Sequence, residues 1–216
     1  MFLRLLLISC LAFTLSSCGQ APVTGGASQK VAEARARNDG PALWVAKDYD
    51  STVYLFGTVH LLPNDLSWLK DDIKIAFDTA GTVYFEVDTG TQGQIQASVL
   101  TQSLGMRSDG SRLSDMLDSY QLKLLDAAAH NGKLSLAALD SMHPWLASEF
   151  LTVAAATNAG LSPDISADEA LKSRAQREQK NIIYLETMED QIRVSSDQAD
   201  FVQMNIINIM LSQYQN

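Results

Sequence analysis

Apolar residues in the first part of the domain follow the two-residue period of β-strands and then the longer period of a helix. Residues 43–46 and 52–56 are rich in apolar side chains and flank a turn-prone run of aspartate, tyrosine and serine, which predicts a β-hairpin. Residues 67–80 carry apolar side chains at helical spacing and are followed by Gly81, a residue type common just after a helix. Residues 82–88 predict the next strand. A hairpin, a helix and a strand in this order indicate an α/β fold.

The middle and the end of the chain are predicted to be mostly helical. Residues 119–131 and 141–159 have helical patterns that end at a glycine. Residues 168–179 form a shorter amphipathic pattern that leads into a strand over 181–186, and a last helix is predicted over 196–214. The whole pattern predicts a mixed α/β domain with a central sheet, an N-terminal hairpin and a helical insertion.

The first residues of the chain predict an export signal. Arg4 is the only charged side chain before Lys30, and residues 5–13 form an apolar run that is too short to span a bilayer as a helix of about 20 residues. The sequence Leu-Ser-Ser-Cys, which ends at Cys18, resembles a lipobox, in which small residues precede the cysteine that receives the lipid. An ordinary secretory signal that happens to contain a cysteine is the alternative.

A lipidated Cys18 would attach the mature protein to a membrane through its acyl chains. We therefore expect a signal peptide at residues 1–17, a polar tether at 18–40 and a single domain at 41–216. Gly19 after the cysteine favours the outer membrane over the inner one. The expected location is the cell envelope, with the protein lipid-anchored and facing the periplasm.

Charge and cysteine content narrow the classes of partner. The formal net charge is −9 and the isoelectric point is about 4.7, which argues against nucleic acid as a partner. Membrane contact must then come from the lipid rather than from basic residues. The one other cysteine, Cys10, would leave with the signal, so the mature domain is expected to fold without a disulfide.

Three side chains at the ends of predicted strands could form a site. His60 follows the second strand of the hairpin after Gly57, which lets the backbone turn, while Glu86 and Glu186 stand at the ends of two later strands. Open α/β sheets bind their ligands at this edge, and a charge in an apolar strand is costly unless it is paired or lies at the strand end. The alternatives are that His60 is a structural hydrogen-bonding group and that Glu86 is exposed on an edge strand.

The two remaining histidines are weaker candidates. His143 precedes Pro144 at a predicted helix start, where a capping or packing role is expected. His130 lies at a helix end, where a partly positive imidazole suits the helix dipole, and it is expected at the surface.

Several short motifs, taken together in their order, resemble those of the TraB/GumN family, which includes the Tiki-type proteases. The resemblance extends over about residues 42–216. The matching segments are 54–62 (YLFGTVHLL), 68–69 (WL), 85–88 (FEVD), the pair Pro144-Trp145, 168–175 (DEALKSRA), and 185–187 (LET) with Gln191.

The resemblance implies an α/β domain in which a Gly-x-x-His motif and a downstream glutamate form part of an active site. Tiki-like members are viewed as metal-dependent proteases, so the resemblance implies a hydrolase of peptides or small molecules that uses a divalent metal ion. It implies the following roles: His60 as metal ligand or base, Glu86 as its catalytic partner and ligand, Glu186 as a third ligand, and Gly57, Asp88 and Gln191 as structural residues near the site.

Two departures from the family pattern modify this expectation. A second Gly-x-x-His motif near the C-terminus is absent from this sequence, so we expect the C-terminal part of the domain to be incomplete. Ala167 also stands where a glycine is usual. Two alternatives to a hydrolase therefore stay open: a non-catalytic envelope protein that binds a peptide or small ligand, and a truncated, inactive family member.

Overall fold

A computed structural model of the protein describes residues 41–63, 67–162 and 165–214. The expected signal peptide, the lipidated Cys18 and the whole tether lie outside the described residues. The described elements are, in chain order, β1 (Leu43–Lys47), β2 (Thr52–Phe56), β3 (Leu62–Pro63), α1 (Asp71–Thr79), β4 (Thr82–Phe85), α2 (Thr91–Gly105), a short 3-10 helix (Leu113–Met116), α3 (Ser119–Asn131), α4 (Leu136–Asp140), α5 (Pro144–Asn158), β5 (Leu161–Ser162), α6 (Ala167–Arg177), β6 (Asn181–Tyr184), α7 (Met188–Ser196) and α8 (Asp200–Ser212).

The mixed α/β class and the N-terminal hairpin are confirmed. Strands β1 and β2 pair antiparallel from Leu43 opposite Phe56 to Lys47 opposite Thr52. The turn between them is closed by Asp48, whose carboxylate accepts hydrogen bonds from the backbone N–H of Ser51 at 2.8 Å and from its hydroxyl at 2.7 Å. A short polar side chain that bonds to its own turn is what the sequence pattern predicted there.

The sequence predicted one central sheet, but the described strands form smaller sheets instead. Among the described residues the strands pair as three separate two-stranded sheets, β1–β2, β3–β5 and β4–β6. Strands β4 and β6 are parallel, with Phe85 opposite Tyr184, and strands β3 and β5 are antiparallel and only two residues long. The hairpin completes its ladder locally, whereas β3–β5 and β4–β6 each pair segments that lie about 100 residues apart in the chain.

Helix α2 is the longest element that the apolar pattern did not indicate, since its sequence is rich in Gln, Thr and Gly. Its buried residues are Gly93, Ala97 and Gly105, which are small rather than strongly apolar. A Cβ on Gly93 would lie 1.7 Å from the carbonyl oxygen of Asp88, and one on Gly105 would lie 2.5 Å from a methyl group of Leu146. The helix therefore packs by close backbone approach, which leaves a weak hydrophobic periodicity.

Several predicted boundaries move. The strand predicted over 82–88 ends at Phe85, and the following residues lead into α2. The helix predicted over 196–214 is α8, which begins at Asp200, and a separate helix, α7, precedes it. Thr187 caps α7 by accepting a hydrogen bond from the N–H of Asp190, a signal that favours a new helix start just after β6.

Two hydrophobic clusters hold the domain together. The larger lies among α2–α5, α7 and α8 and contains residues that are almost fully buried, including Leu125, Leu146, Leu151, Ile192 and Ile207. The smaller lies between the sheet elements and α1 and α6; its buried members are Phe77, Phe85, Leu171 and Ala175. No helix within the described ranges is long and apolar enough to cross a membrane.

Candidate active site

Backbone hydrogen bonds bring the segment after β2 against the start of α6. The N–H of Ala167 donates to the carbonyl of Val59 at 3.2 Å, and the N–H of Leu62 donates to the carbonyl of Ile165 at 3.1 Å. These two bonds lie on either side of His60 in the chain, so they hold it opposite the first turn of α6. The fully buried Ala167, which departs from the usual glycine, occupies this junction.

His60 contacts Asp168 at this junction. The imidazole Nδ1 lies 2.9 Å from Asp168 Oδ2, and the two side chains are 29% and 26% exposed. This is an ion-pair distance, and Oδ2 is a buried oxygen that has no hydrogen-bond partner among the described residues. A buried carboxylate oxygen left in this state is uncommon in folded proteins and marks the position for closer attention.

The pair shifts the pKa of both partners. Interaction with Asp168 raises the pKa of His60 above its ordinary value, burial opposes this, and the charges of Asp168 and Glu86 add to the increase. Burial alone would raise the pKa of Asp168, but interactions with His60 and with the Thr58 side chain bring it below its ordinary value. The arrangement therefore favours a protonated His60 beside an ionised Asp168.

The two glutamates predicted for the site stand side by side at the ends of the parallel strands. The N–H of Glu186 donates to the carbonyl of Glu86 at 2.8 Å, which extends the β4–β6 ladder beyond both strands. Both side chains are exposed. Glu86 is near enough to raise the pKa of His60, whereas Glu186 is brought to the same edge through its backbone.

A second polar cluster is formed by residues just after β4 and residues of α6. Lys172 Nζ donates to the hydroxyl of Thr89 and lies 2.8 Å from Glu169 Oε2, and the Thr89 hydroxyl donates to that same carboxylate at 3.0 Å. Burial raises the pKa of the Tyr184 phenol, and interaction with Asp88 raises it further. The cluster joins the segment after β4 to α6.

Comparison with known proteins agrees with the arrangement of these motifs. The model of the TraB/PrgY/gumN family matches residues 42–216. The chain belongs to this family. Comparison with curated proteins and with solved structures gives no significant match.

The family's Gly-x-x-His motif and its Asp-containing helix meet in the pair of His60 and Asp168. The side chain of Thr58, the residue after the glycine, also helps to lower the pKa of this carboxylate. Gly57 has a different place, because its N–H donates to the carbonyl of Ala42 at 2.9 Å and so extends the hairpin. A Cβ there would meet Ala42 and Trp44 at 3.6 Å, an ordinary contact, so the described structure gives no steric reason for a glycine.

The other family motifs act as structural links. Arg174, from the Asp-x-x-Leu-x-x-Arg-Ala helix, bonds to Asp78 and lies 4.8 Å above the ring of Phe77, which ties α6 to α1. Pro144 is the first residue of α5 and Trp145 is buried behind it.

Gln191, Asp88 and the two remaining histidines also have defined positions. Gln191 is buried on α7, and its Oε1 has no hydrogen-bond partner among the described residues. Asp88 accepts a hydrogen bond from the N–H of Gly90 at 2.8 Å, just before α2. His143 is the N-cap residue of α5, and burial lowers its pKa. His130 is exposed in the last turn of α3, as predicted.

The arrangement of possible ligand side chains shows whether the described residues could hold the expected metal ion. Within the described ranges, no group of three or more His, Cys, Asp or Glu side chains is arranged to hold a metal. His60 and Asp168 bring together two side chains that could bind a metal, and Glu86 is close enough for its charge to raise the pKa of the imidazole. The described residues therefore do not assemble a ligand set by themselves, and the divalent metal stays a prediction.

An open groove of about 440 Å³ lies elsewhere, between β2 and the start of β4. Its lining includes Thr52, Tyr54, Thr82 and Tyr84. It adjoins the amino end of β4, while the polar groups gather at the carboxyl end. The chemistry of the histidine and the carboxylates, rather than this groove, indicates the site.

Asp168, Lys172, Glu169 and Thr89 were not singled out as site residues by the sequence. The signal for Asp168 was present in the family-like helix motif, which could have been paired with His60. The Lys172 contacts depend on how α6 packs against the segment after β4, and local periodicity does not carry that information.

Proposed function

We propose that the protein is a hydrolase in which His60 is the general base. Asp168 orients the His60 ring and favours its protonated form. The contact between His60 Nδ1 and Asp168 Oδ2 carries this proposal. A carboxylate against one imidazole nitrogen fixes the ring and leaves the other nitrogen available, which is the recurring arrangement of a histidine general base. Nε2 would then accept a proton from an attacking water.

Partial exposure supports this role. His60 is 29% exposed, enough for a water and a substrate to reach it, while Asp168 behind it is still more covered. Asp168 stabilises the imidazolium that forms when the proton is taken, and Glu86 adds negative charge nearby. Because the pKa of His60 is raised, the neutral base becomes available as the pH increases through that pKa, so the rate should rise over the same range.

The substrate class and the cofactor follow from the family resemblance and are part of the proposal. Tiki-like members are viewed as metal-dependent proteases, so peptide bonds are the proposed target and a divalent metal is the proposed cofactor. The two donors that meet at the site would need further ligands. We therefore assign no step of the reaction to a metal and treat metal dependence as a separate question for experiment.

We also propose that the enzyme acts in the cell envelope, attached by lipid on Cys18 and facing the periplasm from the outer membrane. The lipobox-like sequence supports this. A Cys18→Ala variant should be recovered without the mass of the acyl chains and should leave the membrane fraction. If the variant fractionates with membranes as the wild type does, the anchor is assigned to the wrong residue.

The test of the activity is a peptide-library cleavage assay on the full-length protein, followed by mass spectrometry. His60→Ala should lose nearly all cleavage, and His130→Ala, at the exposed histidine of α3, is the matched control that should cleave normally. Each protein is assayed with a chelator and then with single divalent metals. Cleavage that persists in His60→Ala would show that the site is wrong, and a wild type that cleaves nothing under any condition would exclude the peptidase.

A second candidate function is ligand binding without catalysis. The observation that favours it is the incomplete donor set, since two donors can hold a ligand in place without activating water strongly. In that case the wild type would bind peptides from the same library and return them uncleaved, and His60→Ala would bind less tightly.

A further inference from the structure

Lys172 is a buried cation next to the proposed site. It is only 3% exposed although lysine is among the residue types that are least often buried. Burial of a charge costs free energy that an ion pair does not always return, and apolar residues of similar size often give a more stable protein. Stability alone therefore gives a weak reason for a lysine at this position.

The contacts of Lys172 form a closed set between two segments. Its Nζ donates to the Thr89 hydroxyl and pairs with Glu169 Oε2 at 2.8 Å. The Thr89 hydroxyl in turn donates to the same Oε2 at 3.0 Å. Thr89 belongs to the segment after β4, and the other two residues belong to α6, so the three side chains join these elements.

The two joined segments are the ones that carry the carboxylates of the site. Asp168 lies one helical turn before Lys172, at a spacing that places both on the same side of α6. Glu86 lies three residues before Thr89. The backbone bonds of Ala167 and Leu62 bring the start of this helix to His60, and a rotation of α6 about its start would still move the Asp168 carboxylate relative to the imidazole.

We propose that Lys172 is a positioning residue that holds α6 against the segment after β4 and so keeps the Asp168 carboxylate oriented toward His60, which the backbone bonds at the start of the helix bring near. This inference rests on the proposed function, in which His60 and Asp168 act as a unit. Lys172 itself contacts Glu169 and Thr89 and acts on the reaction only through the geometry that they hold.

Two variants test the link in different ways. Lys172→Met keeps an unbranched side chain that is one atom shorter and removes the ammonium, while Thr89→Val removes the shared hydroxyl without changing any charge. The matched control is Lys180→Met, because Lys180 is also largely covered and donates to the carbonyl of Ala80 at 2.7 Å, beyond the opposite end of α6. Free energies of unfolding are measured for all three variants.

The deciding readout is the imidazole ¹H–¹⁵N spectrum of the full-length protein at fixed pH. The chain has three histidines, so the His60 signals are assigned by their loss in His60→Asn. Lys172→Met and Thr89→Val should both shift the Nδ1 signal of His60 and lower kcat roughly 10- to 100-fold with little change in KM. Lys180→Met should change neither, even if it loses stability.

Unchanged His60 signals in folded Thr89→Val or Lys172→Met would overturn the proposal. If Lys172→Met does not fold, Thr89→Val decides. If the wild type shows no hydrolysis, the proposed function fails, but the spectra still report whether Lys172 holds the pair.

Discussion

The helical region and the region around β4, β6 and α6 are held together by different means. The cluster among α2–α5, α7 and α8 has seventeen buried residues, whereas the cluster beside the sheets has four. Hydrophobic burial therefore stabilises mainly the helical region.

Polar contacts contribute more to holding the elements together in the site region than in the helical region. His60 with Asp168, Lys172 with Glu169, and Arg174 with Asp78 each join elements or fix a helix end there. Such contacts depend on direction and distance, so they set geometry more than they add stability. The comparison indicates that hydrophobic burial stabilises mainly the helical region, while directional polar contacts set the geometry around His60 and Asp168.

The largest expected effect is in the helical region. Leu151→Ala removes a fully buried side chain from α5 and should lower the free energy of unfolding by about 2–5 kcal/mol, because it leaves a cavity. Leu185→Ala, at an exposed position after β6, is the control and should change it by less than about 0.5 kcal/mol. Urea denaturation measures both. Similar losses for the two variants would remove the contrast between the regions.

A smaller effect is expected where the two regions meet. Gly93→Ala places a Cβ against the carbonyl oxygen of Asp88, so α2 must shift away from the segment after β4. The expected loss is about 1–3 kcal/mol, measured by thermal unfolding. Gly81→Ala is the control, since nothing lies within 4 Å of a Cβ there. A stable Gly93→Ala would show that this junction is looser than described.

The smallest effect depends on pH and belongs to the site region. The raised pKa of His60 means that its contribution to stability is full below about pH 6.5 and is lost as the pH rises through the folded value. The lowered pKa of Asp168 means that its contribution is present above about pH 3.8 and is lost as the pH falls through the folded value. The pair should therefore stabilise the protein most between these limits, by about 1 kcal/mol.

Denaturation of the wild type and His60→Asn across pH checks this window. Their difference in unfolding free energy should be largest under mildly acidic conditions and should shrink above the pKa of His60. A difference that grows toward alkaline pH has the opposite sign and would mean that His60 is held neutral.

The sequence predicted the elements whose signals are local. The hairpin, α1, α3, α6 and β6 follow from turn residues and apolar periodicity, and each is present. Helix α2 was missed because it packs through Gly93, Ala97 and Gly105, which give almost no hydrophobic pattern.

Part of the site was predictable because some of its residues also give local signals in the sequence. His60 and Glu86 stand at strand ends, where polar residues are visible as interruptions of an apolar run. Asp168 is a common residue type in the first turn of a helix, so composition does not distinguish it from a charge that favours the helix dipole. Its contact with His60 comes from the backbone bonds of Ala167 and Leu62, which join segments about 100 residues apart.

A double-mutant cycle on His60 and Asp168 tests the central claim most directly. Hydrolysis of the peptide that the wild type cleaves fastest is measured for His60→Ala, Asp168→Ala and the double variant. If the two residues act as a unit, each single change lowers the rate about 10²- to 10⁴-fold and the double change costs little more than the worse single change. Effects that multiply would contradict the account, because they would show that His60 and Asp168 contribute independently.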